Sequence, residues 1–217
     1  MVKKVLWVDT ETTGLDPAHN EITQLSCIYE EDGKEIDRFN CYMAPENLSY
    51  ITKEALEVQG KTLEQLKEYP SKQMGFVKFV VGFLEKHVNR YDKTDKIVLA
   101  GQNVDFDKKF LYNFFCERGN KWFHSYFYQQ MIDLKQFAFI LSVQGLIKVK
   151  DVKLSTLATE CGFKFEHAHD AKYDIEMTRK VYKHYLLRFL NISEDENERI
   201  ERIERIEKSE TGNNGEQ

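Results

Sequence analysis

Five residues of this sequence have the chemistry of a hydrolytic site. Asp9 and Glu11 close the apolar run KVLWV (4–8) and lie two apart. On a strand they project from one face at its carboxyl end, where open α/β sheets take their ligands. Asp107 lies on the edge of the helical stripe Phe106, Phe110, Leu111 and Phe114. Asp174 stands inside the stripe Ala171, Ile175, Thr178, Val181, Tyr182 and Tyr185, which packs inward. An inward carboxylate is costly without a partner, and Lys172, Arg179 and Lys183 all lie off that stripe. Either a cation from another element or a divalent metal would compensate it, and several such carboxylates converging at one sheet end are explained together by metal ions. His169 stands five residues before Asp174, and five helical residues would turn it about 140° away. The two share a site only if His169 lies on the loop ahead of the helix, with Asp170 as the candidate N-cap. Histidine as a residue type titrates near neutrality, which suits a general base that takes a proton from water.

The elements that must position these residues follow from hydrophobic spacing. Strands are expected at 4–8, 22–30 and 35–43, then a short helix over 52–57 that ends near Gly60, and a helix over 76–88. A buried strand returns at 96–100. A helix over 106–117 stops at Gly119, with Asp105 facing water as its candidate cap. A short strand at 131–134, helices over 135–142 and 154–161, and a last long helix over 171–190 complete an α/β domain with a mixed sheet flanked by helices.

The chain has 217 residues, 41% hydrophobic and 13% aromatic, with 11 Gly and 3 Pro, which excludes a disordered, collagen-like or low-complexity protein. The net charge of -5 resides in the tail, where nine acidic and four basic residues follow Ser193. Residues 1–193 are therefore neutral, and a polyanionic substrate is not excluded. Two segments are expected: a domain over 1–192, and over 193–217 a charged helical extension with a disordered end. The triplet ERI repeats from Glu198 to Ile206 with favourable i,i+4 Glu–Arg and Glu–Lys pairs, a solvated helix or a surface for a protein partner. Cys27, Cys41, Cys116 and Cys161 show no CxxC pattern and are expected as reduced thiols. No apolar run reaches the roughly 18 residues of a membrane span, and a cytoplasmic protein is expected.

DTETTG at 9–14, QNVDFD at 102–107 and HDAKYD at 169–174 resemble, in order, the three motifs of the DEDDh (DnaQ-like) 3′-5′ exonucleases of ribonuclease-H-like fold. The likeness spans about residues 4–190. It implies a sheet of three antiparallel strands then parallel ones, and a hydrolase using two Mg²⁺ or Mn²⁺ ions. Asp9, Glu11 and Asp174 would hold one ion, Asp9 would bridge to the second, Asp107 would complete the acidic pocket, and His169 would deprotonate the attacking water. The backbone around Thr12 and Thr13 would meet the terminal 3′-OH, with Gly14 and Asn103 in the same substrate-binding set, and Leu15 would lie near the last bases. Phe106, Tyr173 and the aromatics of 122–128 would offer stacking faces. The chain departs from the family at Gln102 and Gln59, where relatives often carry histidine, which bears on substrate preference rather than on chemistry. Single-stranded DNA or RNA 3′ ends are the expected substrate. A non-catalytic or partner-dependent accessory subunit is the alternative; it would be marked by loss of one of the five site positions, and all five are filled.

Overall fold

A computed structural model describes residues 4–166 and 169–190. Leu6, Trp7 and Val8 are apolar in succession, so the strand carrying them needs cover on both faces. That strand, β1 (Lys4–Thr12), lies in the middle of a five-stranded sheet. β2 (Ile22–Glu31) pairs antiparallel with it, and β3 (Lys34–Tyr42) antiparallel with β2, through a tight turn with Asp32 and Gly33 both at positive φ. β4 (Ile97–Gly101) and β5 (Phe127–Asp133) run parallel to β1 on its other side, giving the order β3-β2-β1-β4-β5. This is the expected mixed sheet.

The helices are α1 (Lys53–Gln59), α2 (Leu63–Lys67), α3 (Lys72–Phe79) continued by a π-helical turn over Val80–Leu84, α4 (Glu85–His87) and α5 (Val104–Glu117). α6 (Phe123–Tyr126), α7 (Leu134–Val143), α8 (Leu154–Glu160) and α9 (Ala171–Tyr185) follow, and α9 ends in a second π-helical turn, Leu186–Leu190. They cover the two sheet faces according to the alternation of β1. Leu6 and Val8 join Phe79, Phe83, Phe110 and Phe114 from α3, its π-helical turn and α5. Trp7 faces the other way, with Ile28, Ala100 and Ile175 of α9. α9 also shares a separate core with α7 and α8 through Ala138, Leu157 and Val181.

The structure corrects several expected boundaries. β1 continues through the acidic motif to Thr12 instead of ending before it, because its partner β2 is long enough to pair with the whole segment. β5 begins at Phe127 rather than near 131, and α2 was not anticipated. The N-cap of α5 is Asn103, while Asp105 sits in the first turn, exposed and 2.5 Å from Lys109. The 122–128 aromatics are largely core: Phe123, Tyr126 and Phe127 are buried under α5, which removes them as stacking faces. The expected extension over 193–217 lies outside the described residues.

Two buried charges are locked into the frame. Glu30 on β2 accepts from Trp7 Nε1 at 2.9 Å and pairs with Lys183 at 2.8 Å and with Arg179, both on α9. Lys72, 1% exposed at the start of α3, lies 2.6 Å from Glu21 Oε1 and also pairs with Glu117 at the end of α5.

Candidate active site

Strand alternation distributes the acidic residues before any helix is considered. Asp9 and Glu11 continue the face of Trp7, toward α9, whereas Thr10 continues the face of Leu6 and Val8, toward α5. Asp174, in the first turn of α9, thereby meets Asp9 and Glu11, and one carboxylate oxygen from each of the three lies within 4.8 Å of the other two. Asp107, in the first turn of α5 and 3% exposed, reaches the sheet from the opposite side and accepts from Thr10 Oγ1 at 2.7 Å. The four carboxylates expected to act together are thus three in one group and one beside it, held to the neighbouring residue of β1.

α9 is docked where Asp174 is needed. Gln24, which pairs with Glu11 across the β1–β2 ladder, donates from Nε2 to Asp170 Oδ1 at 3.1 Å. Asp170 is the N-cap of α9, accepting from Lys172 N, as the sequence predicts. His169 precedes it at positive φ with its side chain exposed, and its backbone N–H donates to Asp174 Oδ2 at 3.0 Å. The other oxygen, Asp174 Oδ1, is buried and has no hydrogen-bond partner among the described residues. Arg179 and Lys183 of α9 are instead engaged with Glu30.

Burial raises all four carboxyls, and repulsion from the others adds to it at Asp9 and Glu11. Glu11 is pushed up to about 8, by burial first and then by Asp174 and Asp107. Asp9 is held well above the usual carboxylate range by burial, then by Asp107, Glu11 and Asp174. Asp174 rises to about 6 through burial, opposed by the His169 N–H. Asp107 rises to about 7 through burial, opposed by the Thr10 hydroxyl. A carboxyl raised in the fold binds its proton more tightly there than in the unfolded chain, so stability is lost as pH climbs from the ordinary value through the raised one. The metal-free protein is therefore expected to melt lower at pH 8 than at pH 5, by roughly 5 °C or more. Added Mn²⁺ should shrink that drop, since a cation bound only by the fold stabilises it. Thermal melts across pH with and without the ion read this directly, and a flat metal-free profile would refute it.

The remaining predicted residues divide between structural and open positions. Thr12 Oγ1 donates to the Gly14 carbonyl at 2.7 Å, and Thr13 exchanges bonds with Glu21 through its N–H and its Oγ1. Both side chains are buried. Gly14 admits Asn20, whose Oδ1 would lie 2.5 Å from a Cβ there, and Asn20 in turn bonds Asp16 N and the Tyr50 carbonyl. Leu15, by contrast, is 83% exposed. Gln59 joins Thr12 O to Thr23 Oγ1. Asn103 adopts the left-handed conformation, and its N–H donates to Asp133 Oδ1, which also caps α7. Phe106 packs on Phe110 at the core margin. Tyr173 uses its hydroxyl to hold the loop ahead of His169, donating to Lys164 O and accepting from Glu166 N, so it is a loop anchor more than a free stacking face. Thr10, Gln24 and Asp133 were not anticipated. Only for Thr10 did the sequence hold a signal, its place between two same-face carboxylates.

The donor set fits a divalent cation on its own chemistry: hard carboxylate oxygens in one group, one of them buried and unpartnered. A mixed sheet in this order with an acidic group at the carboxyl end of its first strand defines a ribonuclease-H-like α/β protein with a nuclease-type site. A family model described as exonuclease (RNase_T) matches residues 6–182, and the chain belongs to that family. Among curated proteins it is similar to the PolC-type DNA polymerase III of Thermotoga petrophila, 27% identical over 187 residues, covering 85% of this chain and 12% of that protein. The PolC-type polymerase of Pediococcus pentosaceus is 26% identical over 175 residues, covering 81% and 11%. The chain thus spans only about an eighth of the length of these relatives. Among solved structures it resembles E. coli exonuclease I in a zinc-bound complex with single-stranded DNA, with a TM-score of 0.69 and 20% identity over 87% of this chain and 41% of that one. The same enzyme with a dT13 oligonucleotide gives 0.69 and 19% over 86% and 41%.

Proposed function

We propose that this chain removes nucleoside 5′-monophosphates one at a time from the 3′ end of single-stranded DNA or RNA, in the cytoplasm, with residues 1–192 as the catalytic unit and 193–217 as an appendage. The observation that carries this reading is the grouping of Asp9, Glu11 and Asp174 with a buried, unpartnered oxygen on Asp174. These three would hold one Mg²⁺ or Mn²⁺, and Asp9 with Asp107 would hold a second. When bound, such ions supply Lewis acidity at the phosphate and offset the negative charge that otherwise repels the substrate. His169 takes the proton of the attacking water, a role supported by its loop position, where its own N–H donates to Asp174 Oδ2. The backbone of 12–14, fixed by Glu21 and Gln59, presents a rigid edge to the terminal sugar, and exposed Leu15 lies at its rim.

5′-Labelled DNA and RNA strands of one sequence, incubated with Mg²⁺ or Mn²⁺, are expected to shorten from the 3′ end and to stay intact in EDTA. Intact strands under every metal condition would refute the reading. Similarity to PolC-type polymerases favours a second one, in which turnover needs a polymerase partner, docked by way of the tail. Cleavage by the purified chain alone would dismiss it.

A further inference from the structure

The segment Lys148-Val149-Lys150-Asp151-Val152-Lys153 connects α7 to α8 without helix or strand. Val149 and Val152 turn inward against the α7–α8–α9 core, while Lys148, Lys150 and Lys153 are exposed. Among the described residues the three ammonium groups make no hydrogen bond or close ion pair, although the Asp151 carboxylate interacts electrostatically with Lys150 and Lys153. Asp151, the segment's one acid, is turned back on the chain, with Oδ1 accepting from Lys153 N at 3.1 Å. Lysines elsewhere on the face of α5 are engaged: Lys109 with Asp105, and Lys108 with the Gln129 carbonyl.

This segment, with three lysines to one acid, is fastened to the carboxyl end of the parallel strands. Gln102, the residue after β4 and five residues before Asp107, donates from Nε2 to the Val152 carbonyl at 2.8 Å. Its own Oε1 is buried without a partner, so the side chain is spent on this one tether. At Gln102, where the sequence departs from its family's common histidine, the residue works as a clamp. It fixes Val152, and with it the lysine-bearing segment, to the residue that follows β4.

Resting on the exonuclease reading, we propose that Lys148, Lys150 and Lys153 form the track for the phosphate backbone of the single strand behind its 3′ terminus, held at the catalytic edge by Gln102. The acidic group alone repels a polyanion, and a basic run clamped beside it supplies the opposite sign at nucleotides that are not being cleaved. Three phosphate contacts to a single strand contribute a slope of about -2 to the dependence of log affinity on log salt.

Binding of fluorescein-labelled dT20 is measured by anisotropy across NaCl concentrations, with Ca²⁺ in place of Mg²⁺, for the full chain and for Lys148→Gln/Lys150→Gln/Lys153→Gln. The triple variant is expected to lose about 2 units of salt slope and roughly 30- to 100-fold in affinity at 0.1 M salt. The corresponding triple arginine variant should restore both, which separates charge from packing. A slope unchanged in the glutamine variant overturns the track. Hydrolysis of thymidine 5′-(p-nitrophenyl phosphate) by the unaltered protein reports the catalytic reading separately. Hydrolysis with an unchanged slope refutes the track alone, whereas no hydrolysis and no dT20 binding refute both.

Discussion

Asp9→Asn is expected to lower the exonuclease rate by at least about 10³-fold and, in the same molecule, to raise the melting temperature of the metal-free protein at pH 8. The rate loss follows from the place of Asp9 in the Glu11–Asp174 group with Asp107 close enough to repel its charge. Removing it takes away a donor that no other described residue replaces, and about 4 kcal/mol of lost transition-state stabilisation corresponds to that factor. The stability gain follows from the opposite side of the same physics. Four carboxyls raised chiefly by burial are a liability to the metal-free fold, and a neutral amide at Asp9 removes the charge that Asp107, Glu11 and Asp174 repel. A residue important only for folding would give the reverse, lower activity with a lower melting temperature. Rate and melting measurements on one preparation therefore decide the matter, and a destabilised Asp9→Asn would contradict the assignment.

Lys72→Ala should cost about 3–5 kcal/mol, or roughly 6–20 °C in melting temperature. Lys72 is buried and its ammonium satisfies Glu21, whose second carboxylate oxygen accepts from Glu46 N at 2.7 Å and Asn47 N at 2.9 Å. Truncation leaves Glu21 buried and charged with no cation, which is more costly than the pair was worth. Adding Glu21→Gln should recover part of the loss, because the amide needs no counter-charge and still accepts the two N–H groups. Calorimetry on the single and double variants gives the coupling; additive losses would exclude it. Activity should fall as well, since Glu21 also holds Thr13, and Thr13 belongs to the loop that closes β1.

The local grammar of the site was legible in the chain. The i,i+2 spacing placed Asp9 and Glu11 on one face, the helical stripe placed Asp174 inward, and Asp170 was readable as the cap that leaves His169 on a loop. Each of these depends on residues within one element, where side-chain direction follows from backbone period alone. The element boundaries were less legible. β1 runs four residues past its apolar core because β2 pairs with the whole acidic motif, and the cap of α5 is Asn103 because Asp133 on another strand holds its N–H. Cross-strand and cross-element hydrogen bonds carry no local signature.

By itself, then, the sequence determined the mixed sheet, the order of the acidic residues along the chain, and the strand and helix faces on which they lie. Only the tertiary structure decided how the charges are partitioned. It sent Arg179 and Lys183 to Glu30, left Asp174 without an ion pair among the described residues, turned Asp107 to Thr10 across the sheet, and spent Gln102 on the Val152 carbonyl. The physical reason is that the partner of a buried polar group is chosen among all groups the fold brings within about 3 Å. That choice is made between elements far apart in the chain, and no periodicity within one of them encodes it.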